Sequence, residues 1–173
     1  MNYADIKRVD VANGPGVRVS LFVSGCTHHC VECFNPETWD FNFGVPFGEE
    51  QIQEILGYLR PAHIKGLSLL GGEPFEPENQ QAVLELVKRV REELPEKDIW
   101  CYTGYLFEQL SVGQVGSHSR ALLERLDVLV DGPFVLARKN LGLRFRGSDN
   151  QRIIEVKESL DSGAIVLWED GQN

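Results

Sequence analysis

Long apolar runs are missing from this sequence: none reaches the 18 residues that mark a membrane-crossing helix. The opening stretch, Met1 to Asp10, also lacks the apolar core of a signal peptide, so a cytoplasmic protein is expected. Basic residues are scarce. Seventeen Lys and Arg stand against 26 Asp and Glu, a net charge of −9. An acidic surface repels phosphate, which disfavours non-specific binding to nucleic acid or anionic membranes. Arg144, Arg146 and Arg152 lie close in sequence and form a local exception. Internal repeats and low-complexity tracts are absent as well. Length is the last shortage: 173 residues suit one domain, and the 42% apolar content supplies a core. A complete eight-stranded βα barrel takes about 250 residues, so any barrel here is partial or the sheet is open.

What is present alternates between two hydrophobic periods. Residues 17–23 are β-branched and bounded by Gly14-Pro15-Gly16 and Ser24-Gly25, which predicts a strand. Over 49–60, Ile52, Ile55, Leu56 and Leu59 fall on one helical face. A strand over 66–70 is stopped by Gly71-Gly72-Glu73-Pro74, and a helix is expected from about Pro77 to Leu94, closed by Pro95. Strands over 98–103, 128–130 and 151–156, with helical pieces over 106–110 and 119–126, complete the pattern. Strands that alternate with helices argue for an α/β fold with a mostly parallel sheet. Residues 1–154 form the expected domain. Residues 155–173 are a C-terminal extension of uncertain structure, acidic but for Lys157, either a docked strand around Ala164–Trp168 or a loose tail.

Four cysteines are present: Cys26, Cys30, Cys33 and Cys101. The even number invites disulfides, but cytoplasmic thiols stay reduced. Cys26-x3-Cys30-x2-Cys33 places three thiols on one loop directly after the strand at 17–23. Three thiolates are too few to close a tetrahedral zinc site and one short of the four that hold a four-iron cube. On such a cube they leave one iron open to an outside molecule, which is a reactive arrangement. A zinc site completed by His28 or His29 stays open as an alternative, though their spacing is tight for known zinc patterns. So do thiols without a ligand. Cys101 sits mid-strand, where a cysteine is usually a small buried apolar residue.

The cysteine loop resembles the signature of the radical S-adenosylmethionine enzymes. That resemblance implies a 4Fe–4S cluster on Cys26, Cys30 and Cys33, with S-adenosylmethionine chelated at the open iron. Gly71-Gly72-Glu73-Pro74 matches the superfamily segment that contacts the methionyl amino group, where glycine lets backbone approach a ligand. The chain departs from the superfamily before its third cysteine: Glu32 stands where many members have an aromatic, and Phe34 follows Cys33. Glu32, Cys33, Phe34, Gly72 and Glu73 are the candidate S-adenosylmethionine contacts.

Further strings are similar to the small activating proteins of anaerobic ribonucleoside-triphosphate reductase. They include Asn13-Gly14-Pro15-Gly16, Phe22-Val23-Ser24-Gly25-Cys26, Cys33-Phe34-Asn35, Tyr102-Thr103-Gly104-Tyr105 and Arg146-Gly147-Ser148, and the likeness spans Met1 to Ile154. It implies a partial (β/α) TIM-like barrel, the radical SAM fold. It also implies reductive cleavage of S-adenosylmethionine to a 5′-deoxyadenosyl radical, which takes a hydrogen from a backbone glycine of the partner reductase. The reductase would be the protein substrate, reduced flavodoxin the electron donor, and no catalytic residue would be needed beyond the cluster. Two other readings are a short radical S-adenosylmethionine enzyme of the deazapurine synthase type, acting on a small molecule, and a zinc-binding module without activity. Thr103 and Asp131 end predicted strands and read either as ligand contacts or as turn residues. Trp39, Tyr102 and Tyr105 read as partner contacts or as core.

Overall fold

The computed structural model describes residues 1–169. In chain order the strands are β1 (Asn2–Asp10), β2 (Val17–Val23), β3 (Val45–Pro46), β4 (Ile64–Gly71), β5 (Asp98–Tyr102), β6 (Val128–Asp131) and β7 (Arg152–Glu155). The α-helices are α1 (Glu49–Leu59), α2 (Pro77–Glu93), α3 (Phe107–Ser111), α4 (Ser119–Leu123) and α5 (Val156–Ser162). The strands form one sheet in the order β3-β1-β2-β4-β5-β6-β7. Its centre, β2-β4-β5-β6, is parallel, and antiparallel pairs flank it on both sides. The fold is thus α/β with a mixed, mostly parallel central sheet. Among the described residues no helix is long and apolar enough to cross a membrane.

Strand pleating sorts the central strands onto two faces. Val19, Leu21 and Val23 of β2, Leu67 and Leu69 of β4, Ile99 and Cys101 of β5 and Leu129 of β6 share one core with the helices. Into it α1 buries Ile52, Ile55, Leu56 and Leu59, and α2 buries Val83, Leu86, Val87 and Val90. Cys101 is fully buried there as one more small apolar side chain.

The opposite face is polar at one end and aromatic at the other. Arg18 is fully buried on it, donating to Ser68 Oγ at 2.8 Å, to the carbonyls of Pro15 and Leu67 at 3.0 Å, and to Asp98 at 2.5 Å. Trp100, Val128 and Val130 pack there against Trp168, whose ring lies 5.1 Å from that of Trp100. Trp168 is held by its own backbone N–H, which donates to the Ile153 carbonyl at 2.8 Å, and Leu167 forms a β-bridge with Ile154. Residues 156–169 therefore fold back onto the sheet; residues 170–173 lie outside the described residues.

Strand β1 carries no clear sequence signal. Asp5, Lys7 and Arg8 interrupt its alternation because most of this strand is exposed or half-buried. Its place comes from the antiparallel ladder that β2 offers.

The rim near β6 has one ion-paired anchor. Asp131 is fully buried, accepts the Phe107 N–H at 2.8 Å, and takes the Arg152 guanidinium on both oxygens at 3.0 and 2.5 Å. Arg152 also reaches Glu108 at 2.8 Å. Removing one partner leaves a buried charge without its counterion. Because Arg152 is about a third exposed, water offsets part of that loss. Arg152→Ala should cost about 2–4 kcal/mol of stability in urea unfolding, against less than about 1 kcal/mol for Arg60→Ala in an exposed pair.

Candidate functional site

The parallel strands β2, β4, β5 and β6 end side by side, and open α/β sheets take ligands at such carboxyl ends. The loops leaving these ends enclose a cleft of about 500 Å³. Phe22, Leu70, Tyr102 and Val130, one from each strand, lie on the face opposite the helical core and line it. The segment after β6 adds Phe134, Leu143 and Phe145. Phe34 meets Phe134 with ring centroids 5.1 Å apart, so the cysteine loop and this segment touch.

Cys26, Cys30, Cys33, Phe34, Gly72 and Glu73 all line this cleft. The structure therefore brings together every candidate site residue except Glu32. Glu32 is exposed at a left-handed φ of 60° and is not part of the cleft wall.

Two left-handed residues, His29 and Glu32, fold the cysteine loop back on itself, and the Cys33 N–H donates to the Cys30 carbonyl at 3.1 Å. The start of the loop is tied to the turn of 3-10 helix at Pro36–Trp39. Gly25 N–H donates to Thr38 O at 2.7 Å and Cys26 N–H to Trp39 O at 3.2 Å. The Gly-Gly turn after β4 then runs against the same backbone. Gly72 N–H donates to Val23 O and Glu73 N–H to Gly25 O, both at 2.8 Å. A Cβ on Gly72 would stand 2.6 Å from Gly25 O and 2.8 Å from Thr38 O. Glycine is required there by close approach rather than by its φ.

Two buried carboxylates hold the loop from behind this turn. Glu73 is 1% exposed and accepts four hydrogen bonds. His28 Nε2 (2.8 Å) and Gly104 N–H (2.7 Å) bond Oε1; Thr103 Oγ1 (2.8 Å) and Phe75 N–H (2.9 Å) bond Oε2. Glu76 accepts the N–H and hydroxyl of Thr27 at 3.1 and 2.7 Å. His28 is thus an ordered loop anchor, half-buried against the Tyr105 ring at 4.4 Å. Burial pulls its pKa down, and the hydrogen bond and charge of Glu73 more than offset this, leaving it raised. His29 is exposed and stacks on Trp39 at 4.4 Å. Thr103 and Asp131 serve the turns: one bonds Glu73, the other receives the first N–H of α3.

The thiols sit in an electronegative corner. Burial pushes Cys26 up to about 12, and the charges of Glu73 and Glu76 add to the rise. Burial also raises Cys30. Cys26 and Cys30 are thus held towards the thiol form, whereas a coordinated metal deprotonates its thiols outright. Among the described residues no three or more His, Cys, Asp or Glu side chains converge on one point fit for a single metal ion. Three free thiols that line one cleft are the ligand type that holds an iron–sulfur cluster.

Residues 12–154 match the family described as "4Fe-4S single cluster domain". Over 155 residues the chain is 47% identical to the anaerobic ribonucleoside-triphosphate reductase-activating protein of Vibrio cholerae, covering 88% of this chain and 97% of the relative. The chain belongs to this family of activating proteins. Members named in the same way from Escherichia coli and Haemophilus influenzae are each 44% identical over 159 residues, or 91% of this chain. The alignments span 100% and 99% of those two relatives. In this member of the family, sequence reasoning overlooked Glu76 and the anchoring role of His28. A signal for Glu76 exists, since it lies three residues after Glu73 in the same turn, but only packing shows that both carboxylates reach the cysteine loop.

Proposed function

We propose that this protein activates an anaerobic ribonucleoside-triphosphate reductase as a radical S-adenosylmethionine enzyme. Cys26, Cys30 and Cys33 would hold the 4Fe–4S cluster, and the observation that carries the reading is their meeting with Gly72 and Glu73 on one cleft. When bound, the cluster supplies one electron that cleaves S-adenosylmethionine to methionine and a 5′-deoxyadenosyl radical, and that radical removes a hydrogen from a reductase glycine.

The chain's own residues bind and orient. Phe34, Gly72 and Glu73, with Glu32 on the exposed side of the loop, are the proposed S-adenosylmethionine contacts. Four donors already fix the Glu73 carboxylate, so its role towards a methionyl ammonium is a preset negative potential rather than a mobile ligand. Phe22, Leu70 and Val130 keep the cleft wall apolar beside a reactive radical, limiting competing reactions with water. In this reading the sheet is part of a partial barrel, the site works in the cytoplasm, the reductase is the protein substrate, and reduced flavodoxin is the electron donor.

The test is anaerobic incubation of the iron–sulfur-loaded protein with S-adenosylmethionine, a one-electron reductant and the reductase. An organic radical signal on the reductase by electron paramagnetic resonance, with 5′-deoxyadenosine released, is the expected result. Loaded protein that releases 5′-deoxyadenosine but leaves every reductase offered to it without a radical would overturn the assignment of the protein substrate.

A further inference from the structure

Glu76 is a carboxylate only 4% exposed, and it does not line the cleft. Among the described residues a single oxygen, Oε1, takes its three hydrogen bonds: Thr27 N–H at 3.1 Å, Thr27 Oγ1 at 2.7 Å and Tyr105 hydroxyl at 3.3 Å. All three donors are neutral, and among the described residues no Lys, Arg or His pairs with Glu76, whereas Glu73 has His28. A buried charge with neutral partners keeps much of its field at short range, because little water is there to screen it. That field lies beside the thiols: Thr27, which Glu76 holds through both its N–H and its hydroxyl, adjoins Cys26 in the chain.

We propose that Glu76 lowers the reduction potential of the cluster held by the cysteine loop, and that Tyr105 and Thr27 set how much of its charge is felt there. The inference rests on the reading that Cys26, Cys30 and Cys33 carry an iron–sulfur cluster. Net charge and hydrogen bonding around a cluster set its potential. One-electron reduction adds one negative charge to the cluster, so a fixed carboxylate alongside favours the oxidised state. The electron comes from the one-electron reductant of the proposed reaction, and no bond in the protein forms or breaks. A low potential is useful here, since it makes the reduced cluster a stronger donor to S-adenosylmethionine.

The test compares Glu76→Gln and Tyr105→Phe with the unaltered protein at equal iron and sulfide content. Each is poised anaerobically with mediators, and the reduced cluster is read by electron paramagnetic resonance. Glu76→Gln keeps an acceptor for Thr27 and removes the charge. At a given potential it should raise the ratio of reduced to oxidised cluster about tenfold, an upward shift of about 59 mV for one electron. Tyr105→Phe keeps the charge and removes one donor, so the ratio should fall about twofold. A merely loosened loop would move both variants in the same direction. An unchanged midpoint in Glu76→Gln, or shifts of the same sign in both variants, overturns the proposal. If Glu76→Gln fails to load, Tyr105→Phe and Thr27→Ala decide: downward shifts support the proposal, and no shift or an upward one overturns it. Unaltered protein that never takes up a four-iron cluster overturns the underlying cluster reading instead, before any potential is compared.

Discussion

Protein with Cys26, Cys30 and Cys33 all replaced by alanine should emerge from anaerobic reconstitution colourless, with iron reduced from about four per chain to near zero. Release of 5′-deoxyadenosine should fall at least about a thousandfold with it, because no other group on the cleft wall supplies an electron. The fold itself should survive. Cys30 and Cys33 are half-buried on a loop, and Cys26 contributes only a small side chain at the edge of the core, so the triple change removes little buried apolar surface. Thermal unfolding of the cluster-free variant should therefore match that of cluster-free parent protein within a few degrees. Cys101→Ala is the contrasting case. Its thiol is fully buried on the helical side of the sheet, where burial raises its pKa, and it is not on the cleft wall. That variant should retain iron and activity and lose about 1 kcal/mol of stability. A triple variant that keeps four irons, or a Cys101→Ala variant that loses them, would show that the ligands are misassigned.

Glu73→Ala should be the most disruptive single change near the site. It strands four buried or half-buried donors at once: His28 Nε2, Thr103 Oγ1, and the N–H groups of Phe75 and Gly104. Hydrogen bonds to a charged acceptor contribute about 1.5–3 kcal/mol each, and their losses overlap because the four donors share one partner. A total of about 3–5 kcal/mol is expected in denaturant unfolding of the cluster-free protein. Glu73→Gln is gentler yet not silent. An amide offers one oxygen and one NH2, so it serves the donors on one side and opposes the Phe75 or Gly104 N–H on the other. It should cost about 1–3 kcal/mol. Both variants should also lose iron faster to a chelator, since His28 and Thr103 are what Glu73 uses to join the cysteine loop to the end of β5. Equal chelator rates in Glu73→Ala and parent protein would mean the loop holds its shape without this carboxylate.

Much of the fold was legible in advance because periodicity reports burial. The helices at Glu49–Leu59 and Pro77–Glu93 and the strands at Val17–Val23, Ile64–Gly71 and Asp98–Tyr102 lie within a residue or two of where the pattern placed them. Their apolar faces are continuous and their ends are marked by Gly or Pro. Strand β1 was not legible, since Asp5, Lys7 and Arg8 lie on a mostly exposed strand whose pairing depends on β2. The cysteine loop after β2 and the Gly-Gly-Glu turn after β4 were likewise readable, because residue spacing and close backbone approach are local properties.

The sequence by itself determined which groups are on offer: three thiols on one short loop, a Gly-Gly-Glu turn about forty residues later, and a net negative charge. Those are properties of residue identity and spacing. Only the tertiary structure decided that both lie on one cleft, because parallel strands β2 and β4 end side by side. It also decided what the acids do. Glu73 reads in the sequence as a candidate ligand contact and Glu76 carries no reading there, but packing withdraws both from water and leaves the cysteine loop and its neighbours as their partners. A carboxylate exposed to water is screened within a Debye length, whereas the same group under a sheet edge is a fixed charge. That difference in surroundings, invisible in the chain, makes both acids anchors of the cysteine loop.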